Sequence, residues 1–335
     1  MSVFRQILVM RGGAIGDFVL TLPAIGAIRR AFPSAHIRLL GHPHISDLAV
    51  GRGYADSARN LEDAGFATLF APAQEHAQTS LSVAHARNPI KELKAFDLIV
   101  AFWRDPEGML AGNLARFCPA KIVVHDPMPP PEPKRHAVDH LCEVLGKIEI
   151  HEHNPSPRLF PGQEDLAGAD AFLAERRLDP AKTIAVHPGS GGRTKNWPAD
   201  RFNEIIERIT THTECQVLLT CGPADEEVVK ATRGTFAIAN NFSLPILAAI
   251  LSKCRAYLGN DSGITHIAAA VGTPTIAIFG PTDPDVWGPR GESVTIIRGQ
   301  APCAPCSREE RLACKNRRCL EAVGIDDVWD RIREY

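Results

Sequence analysis

Short apolar runs, each followed by a glycine-containing turn and a helical segment, recur along the whole chain. The first run is Ile7–Met10, which is followed by glycines 12, 13 and 16 and by a helical pattern from Phe18 to Phe32. Strands that are apolar on both faces and alternate with helices are typical of parallel sheets covered by helices on both sides. The sequence therefore predicts an α/β protein built from doubly wound parallel sheets.

The pattern stops at a proline-rich patch, residues 154–162, and then starts again. Further strands are predicted before the patch at 37–41, 97–101 and 121–124, and after it at 183–187, 216–220, 255–258 and 275–279. A second proline-rich stretch, residues 126–136, predicts a loop, since proline lacks the backbone donor that a helix or central strand needs. We expect an N-terminal domain over 1–160, a C-terminal domain over 161–320 and a terminal helical segment over 321–335.

Charge and apolar patterning exclude two classes of protein. The formal net charge of −2 lacks the basic excess typical of a nucleic-acid-binding protein. No stretch has the ~18 consecutive apolar residues expected of a membrane-spanning helix, and the N-terminal residues do not resemble a signal peptide. We therefore expect a cytoplasmic protein, in which the nine cysteines are thiols or metal ligands and not disulfides.

A polar turn links the predicted strand 255–258 to a helix of small residues that ends near Gly272. Asp261 or Ser262 can cap this helix, and Gly263 leaves its backbone open to a ligand. The free N–H groups of a helix N-terminus suit an anion such as a diphosphate. The turn therefore predicts a nucleotide site in the second half of the chain, although an ordinary capped helix would show the same residues.

A dinucleotide fingerprint is incomplete in the first half. The turn Gly12-Gly13-x-x-Gly16 lacks the first G-x-G step, and no acidic residue ends the second predicted strand at Gly41. An NAD site is therefore a weak hypothesis.

Four cysteines lie close together near the C-terminus: Cys303, Cys306, Cys314 and Cys319. Four thiolates suit a tetrahedral zinc or a single iron, and they leave no open position for catalysis. The pattern predicts a structural metal site or, alternatively, a compact loop of reduced thiols.

Three further motifs lie at the predicted strand ends: Gly16-Asp17 with Leu22-Pro23, His187-Pro188-Gly189 through Lys195-x-Trp197-Pro198, and Asn260-Asp261-Ser262-Gly263-x-Thr265-His266 with Phe279-Gly280-Pro281-Thr282. Together these motifs resemble the ADP-heptose:lipopolysaccharide heptosyltransferases, glycosyltransferase family 9. The resemblance implies the GT-B fold, in which two Rossmann-like domains face each other across a cleft. It also implies an inverting sugar transfer that requires no metal.

The resemblance also implies roles for single residues. Asp17 matches the general base, although aspartate is equally a common helix cap. Lys195 suits the departing diphosphate, although most lysines are solvated. Further donor-binding residues are predicted at Ser190, Thr194, Glu226, Asp261, Ser262, Gly263, Thr265 and His266. Of these, Glu226 would accept from the ribose, and Thr265 and His266 would donate to phosphate. The terminal helix would pack on the first domain.

The expected reaction moves a heptose from ADP-L-glycero-β-D-manno-heptose to an acceptor hydroxyl of inner-core lipopolysaccharide. The expected partners are this ADP-sugar and a lipid-linked or core oligosaccharide, with peripheral contact at the cytoplasmic face of the inner membrane. A basic patch of Arg104, Lys134, Arg135 and His136 would suit an anionic acceptor. Alternatives are another nucleotide-activated sugar, a protein or other glycan acceptor, an epimerase, or a non-catalytic sugar-nucleotide-binding protein.

Overall fold

A computed structural model describes residues 4–72, 89–152, 155–222, 225–234 and 236–335. The chain divides into two compact units. The first unit comprises residues 1–14 and 21–155, and the second comprises residues 15–20 and 156–335. The division after Pro155 falls inside the proline-rich patch 154–162.

The first unit contains a five-stranded parallel sheet in the order β3-β2-β1-β4-β5. Its strands are β1 (Gln6–Arg11), β2 (His36–Gly41), β3 (Ser57–Asn60), β4 (Leu98–Phe102) and β5 (Lys121–His125). The two central strands, β1 and β4, are buried along almost their whole length, as expected for strands covered on both faces.

The helices of the first unit follow the strand ends. They are α1 (Ile15–Ala31), α2 (Pro43–Ser46), α3 (Pro89–Glu92), α4 (Met109–Phe117) and α5 (Ala137–Cys142), with 3-10 segments at Ala64–Phe70, Leu93–Ala95 and Glu143–Ile148. The first turn of α1 lies in residues 15–20 and therefore belongs to the second unit. The proline-rich residues 126–136 form a loop without regular structure, as predicted. This loop joins β5 to α5.

The second unit contains a six-stranded parallel sheet in the order β11-β10-β9-β6-β7-β8. Its strands are β6 (Thr183–His187), β7 (Gln216–Cys221), β8 (Ala237–Asn240), β9 (Ala256–Asn260), β10 (Thr275–Phe279) and β11 (Val294–Arg298). The chain runs outward from β6 to β8 and then returns to β9 on the other side of β6. The strand order therefore reverses between β6 and β9.

The helices of the second unit are α6 (Gln163–Glu175), α7 (Ala199–His212), α8 (Glu226–Ala231), α9 (Leu244–Lys253), α10 (Gly263–Ala270), α11 (Pro284–Trp287), α12 (Arg308–Ala313), α13 (Arg318–Glu321) and α14 (Ile325–Ile332). Further 3-10 turns lie at Pro180–Lys182 and Arg193–Lys195. In the part of the chain that the structure describes, no helix is long and apolar enough to cross a bilayer.

The terminal helix α14 corrects one expectation. The family resemblance implied that it packs on the first domain, but its apolar face lies in the core of the second unit. Val328 and Ile332 are buried there in one cluster with Ile205 and Ile209 of α7. Asp326 also accepts a hydrogen bond from the Arg208 guanidinium of α7 at 2.7 Å. Burial of apolar area on α7 is the physical reason for this placement.

Candidate functional site

The residues that the sequence singles out in the second unit lie at the carboxyl ends of β6 and β9. These two strands are neighbours, and His187 is paired with Gly259 in their register. Ligands of open α/β sheets bind outside the carboxyl ends of the strands, at the point where the strand order reverses. The topology therefore brings the loop after β6 and the turn after β9 together at the position where a ligand is expected.

The loop after β6 is held in shape by its own polar groups. The hydroxyl of Ser190 lies 2.5 Å from Asn196 Oδ1 and 2.7 Å from the Gly192 carbonyl, and it accepts from the Gly192 N–H. These contacts bury the Ser190 side chain and fold the loop around the 3-10 turn that carries Thr194 and Lys195. Thr194 is half-buried on this turn. The primary contribution of Ser190 in the structure is loop support, and its direct role toward a donor remains a prediction.

Lys195 reaches across to the turn after β9. Its ammonium Nζ lies 3.0 Å from Asp261 Oδ2, and both side chains are largely buried. The same carboxylate oxygen accepts from the Thr282 hydroxyl, at 2.5 Å, in the loop after β10. Asp261 thus holds a cation in place beside the first turn of α10. A charge that is ordered in this way is suited to an anionic group.

The N-terminus of α10 is capped by Ser262, one of the two predicted caps. Its hydroxyl accepts from the N–H of Thr265 at 3.3 Å. One backbone donor of the first turn is satisfied in this way, and the eight-residue helix that follows is buried from Thr265 to Ala270. The cap is therefore present, and anion binding at this helix start remains a prediction.

Thr265 has a different function from the predicted one. Its hydroxyl donates to the Asn260 carbonyl at 2.5 Å and lies 3.0 Å from each of the Tyr257 and Ser262 hydroxyls. The residue has no exposed surface. The phosphate-donor role predicted for the Thr265 hydroxyl is therefore wrong, because its bonding capacity is used inside the turn.

Gly263 is required for packing. A Cβ at this position would lie 2.6 Å from the Cβ of Ile15 and 3.1 Å from the backbone nitrogen of Gly16. A Cβ on Gly16 would in turn lie 3.0 Å from the His266 ring. The first turn of α1 and that of α10 are thus in close contact, and Asp17 lies in this turn of α1. The ligand access predicted from Gly263 has a more direct explanation in this contact.

Asn260 joins the two loops and was not given a role from the sequence. Its side-chain nitrogen donates to the carbonyls of Pro188 (2.8 Å) and Gly189 (3.2 Å), and its side-chain oxygen accepts from the Trp197 N–H (2.9 Å). All polar atoms of this fully buried amide are used. Trp197 is a packing residue: it is buried and its indole N–H donates to the Val323 carbonyl.

His187 and Asp225 form a buried polar pair at the ends of β6 and β7. His187 Nδ1 lies 2.9 Å from the Thr220 carbonyl, so this nitrogen carries the proton, and Nε2 lies 3.9 Å from Asp225 Oδ2. Burial lowers the pKa of His187, and the Asp225 carboxylate opposes this effect in part. Asp225 also accepts from the Gly222 N–H at 2.9 Å. The next residue, Glu226, begins α8, but its side chain lies outside the described part of the structure.

The C-terminal segment braces the loop after β6. The Arg317 guanidinium donates to the carbonyls of Arg193 (3.1 Å) and Asn196 (3.2 Å), on either side of Lys195. The Cys306 N–H donates to the Pro281 carbonyl at 2.8 Å. The cysteine-containing segment therefore contacts two of the loops that form the site.

The four cysteines lie in one segment, but their Sγ atoms do not form a closed set. Burial first, and then the neighbouring Cys303, raises the pKa of Cys306; burial also raises the pKa of Cys319. Among the described residues, no three of these Sγ atoms lie within 4.8 Å of one another. A tetrahedral metal site would therefore require the segment to contract around the ion.

Comparison with known proteins agrees with this geometry. The profile of glycosyltransferase family 9 (heptosyltransferase) matches residues 117–316, more than half of the chain. "Lipopolysaccharide heptosyltransferase 3" of Escherichia coli K12 is 26% identical over 342 residues, which cover 93% of each protein.

Solved structures show the same fold. The E. coli heptosyltransferase WaaC, solved with ADP, superposes with a TM-score of 0.68 at 19% identity, covering 98% of this chain and 99% of that one. The iron-containing dodecameric glycosyltransferase TibC of enterotoxigenic E. coli H10407 gives a TM-score of 0.61 at 13% identity, covering 100% of this chain and 76% of that one.

The two parallel sheets are those of a GT-B glycosyltransferase, as the sequence predicts. The chain belongs to glycosyltransferase family 9, the heptosyltransferases.

Proposed function

We propose that this glycosyltransferase moves a heptose from ADP-L-glycero-β-D-manno-heptose to a hydroxyl of inner-core lipopolysaccharide, with inversion at the anomeric carbon. The observation that carries the donor half of the proposal is the ammonium of Lys195, fixed by Asp261 beside the N-terminus of α10. An ordered cation and free helix N–H groups are what a departing diphosphate requires.

The proposed reaction is a single displacement. The acceptor hydroxyl attacks the anomeric carbon, its proton passes to the Asp17 carboxylate, and the bond to the β-phosphate oxygen breaks. Asp17 suits this role because it lies in the first turn of α1, which packs against the first turn of α10 through Gly16, Gly263 and Ile15. Lys195 stabilises the negative charge that develops on the leaving ADP.

The sugar and acceptor are proposed from relatives. The name of the K12 relative specifies a lipopolysaccharide heptosyltransferase, and the WaaC structure contains ADP. Such an acceptor is lipid-linked, so the proposal includes peripheral contact with the cytoplasmic face of the inner membrane.

The basic patch that was predicted to bind an anionic acceptor has only mixed support. Arg104 and Lys134 are exposed, but Arg135 pairs with Glu143 and the His136 ring caps α5 by accepting from the Val138 N–H. A less charged glycan or a protein hydroxyl therefore remains the alternative acceptor.

We also propose that the transfer needs no metal and that the four C-terminal cysteines hold a structural zinc or iron. Cys303 and Cys319 each add to the rise in the pKa of Cys306, and Cys303 adds to that of Cys319, which supports a shared site; the TibC neighbour is described as iron-containing. Four thiolate ligands leave no open position, so this ion would brace the site loops and would not contact the sugar.

The first test is calorimetric titration of the purified protein with ADP, UDP and NAD in the presence of EDTA. The proposal predicts selective binding of ADP. Binding of NAD, or no binding of ADP, would remove the basis for the donor site and leave the turn after β9 as a plain helix cap.

The second test addresses the base. Asp17→Asn is expected to lower kcat by about 10²–10⁴-fold, since general-base catalysis contributes this much, while ADP affinity is retained. Asp63→Asn, which changes an exposed acidic residue, is the matched control. Near-normal turnover of Asp17→Asn would refute the assignment, and turnover of the donor without any acceptor would favour an epimerase.

A further inference from the structure

Three groups that can ligate a metal come together inside the first unit. They are His125 at the end of β5, His140 in α5 and Glu143 directly after α5. One ligand atom from each residue lies within 4.8 Å of those from the other two. This cluster has no part in the proposed sugar transfer.

The two imidazoles are oriented by backbone carbonyls. His140 Nε2 lies 2.8 Å from the Asp126 carbonyl, and His125 Nε2 lies 2.9 Å from the His140 carbonyl. A carbonyl only accepts, so in each neutral ring the proton is on Nε2 and the lone pair is on Nδ1. Histidines that bind metals commonly donate their other ring N–H to a carbonyl in this way.

Nδ1, the ring nitrogen of His140 that faces Glu143, receives no hydrogen bond from the described residues. Its side chain is 9% exposed, and Nδ1 is buried without a hydrogen-bond partner among the described residues. The nearest charged atom is Oε2 of Glu143 at 3.5 Å, and a carboxylate also only accepts. When the His140 ring is neutral, both facing atoms are acceptors, and a cation bound between them would satisfy both.

Neighbouring groups hold the cluster in this arrangement. The two rings are tilted against each other with centroids 4.5 Å apart. Arg135 pairs with Oε1 of Glu143 and leaves Oε2 on the side of His140.

We propose that His125, His140 and Glu143 form a binding site for one divalent transition-metal ion of the zinc type, with water in a fourth position. Two imidazole nitrogens and a carboxylate oxygen are ligands that zinc accepts in a tetrahedral site. Donor atoms in such a site lie ~3.3 Å apart, given bonds of 2.0–2.1 Å. The exposed Glu143 side chain can supply the small movement that is needed.

The ion would fasten the proline-rich loop 126–136. His125 precedes this loop, and His140 and Glu143 follow it, so one ion would join its two ends. The role is structural and independent of the proposed function, because none of the three residues is assigned to sugar transfer.

The test uses the untagged, full-length protein in a Cys303→Ser/Cys306→Ser background, in which the cysteine segment cannot hold a four-thiolate site. Calorimetry with Zn²⁺ is expected to show one equivalent bound. Glu143→Gln and His125→Asn are each expected to weaken zinc binding at least tenfold. Glu132→Gln, an exposed acidic residue of the same loop, is the matched control and should leave the affinity unchanged.

Two outcomes would overturn the proposal: no zinc binding in the cysteine-variant background, or equal affinity in Glu143→Gln. Glu143 is exposed, so its replacement by glutamine should leave the fold intact, which thermal unfolding in EDTA verifies. Should the cysteine variant fail to fold, Co²⁺ absorption of the unmodified chain separates the sites. A spectrum with thiolate charge transfer alone would assign the metal to the cysteines and reject the histidine site.

Discussion

Lys195 is already paired in the structure, so a donor diphosphate would share its ammonium with Asp261. Lys195 Nζ lies 3.0 Å from Asp261 Oδ2, and the lysine is the more exposed partner, with 19% of its side chain exposed against 9% for Asp261. Asp261 also binds the Thr282 hydroxyl. We infer that the carboxylate positions the ammonium, and that the ammonium, not Asp261, contacts phosphate.

Replacing Lys195 tests this division of roles. Lys195→Met removes the charge with little change in volume and is expected to lower kcat by about 10²–10³-fold, as loss of one transition-state donor does. Asp261→Asn should leave a smaller defect that appears mainly as a higher KM for the donor. Lys253→Met, at a lysine paired with Asp170, is the matched control. Steady-state kinetics with unchanged kcat in Lys195→Met would contradict the assignment.

His187 predicts a pH dependence of stability. Burial lowers its pKa from 6.5, and Asp225 is the charged group that the described structure places against it. The unfolded chain therefore binds a proton more readily than the folded chain, and stability falls as the pH drops below about 6.5. Urea unfolding between about pH 7.5 and pH 5 should show this loss in the free energy of unfolding, and in His187→Asn the free energy should depend less on pH. The exposed His212→Asn variant is the control; an equal slope in His187→Asn would refute the prediction.

At the scale of elements, the contact between the first turns of α1 and α10 depends on the absence of side chains. Gly263→Ala would force a Cβ to within 2.6 Å of the Ile15 Cβ, and neither atom is at the flexible end of a side chain. We expect a loss of about 1–3 kcal/mol in the free energy of unfolding, the usual cost of overpacking. Gly191→Ala, where the space is open, should be nearly neutral in the same denaturation experiment. Equal stability of both variants would show that the two turns can separate.

The elements differ in how well the sequence predicts them. The apolar strands β6 and β10 have the predicted bounds, because fully buried runs bounded by turns are distinctive. The edge strands β3, β8 and β11 were missed; β3 and β8 are short strands without an apolar run, which an edge strand does not need. The donor turn was predicted from local residues. The bonds from Arg317 to the loop after β6 were not, because they join positions 121 and 124 residues apart.

Contacts between distant positions also explain why the predictions for Thr265, Gly263 and α14 needed correction. A threonine hydroxyl such as that of Thr265 is chemically able to bind phosphate. Only its three buried hydrogen-bond partners show that it supports the turn. A side chain at position 263 would clash with Ile15, which lies 248 positions earlier in the chain. The amphipathic pattern of α14 shows that one face is buried but not on which partner. In each case the sequence shows the residue type or the pattern, but it does not show the distant residues that it contacts.

At the scale of the whole molecule, the two units should respond differently to the donor nucleotide. All residues that the described structure gathers around Lys195 belong to the second unit, where β6 and β9 mark the reversal of the sheet. ADP that binds only the folded state raises stability by about 2.7 kcal/mol at a hundred times its Kd. Hydrogen exchange should therefore slow at the ends of β6 and β9 and in the first turn of α10.

The same hydrogen-exchange experiment identifies where ADP binds. Strands β4 and β5 of the first unit contribute no residue to the candidate donor site, so their exchange by local opening should change little. UDP at equal concentration is the matched control and should protect neither unit to the same extent. Protection confined to the first unit would contradict the donor site, even if ADP bound tightly. If ADP slows exchange in the second unit of the unmodified protein but not of Lys195→Met, the stabilisation by ADP depends on the ammonium held by Asp261.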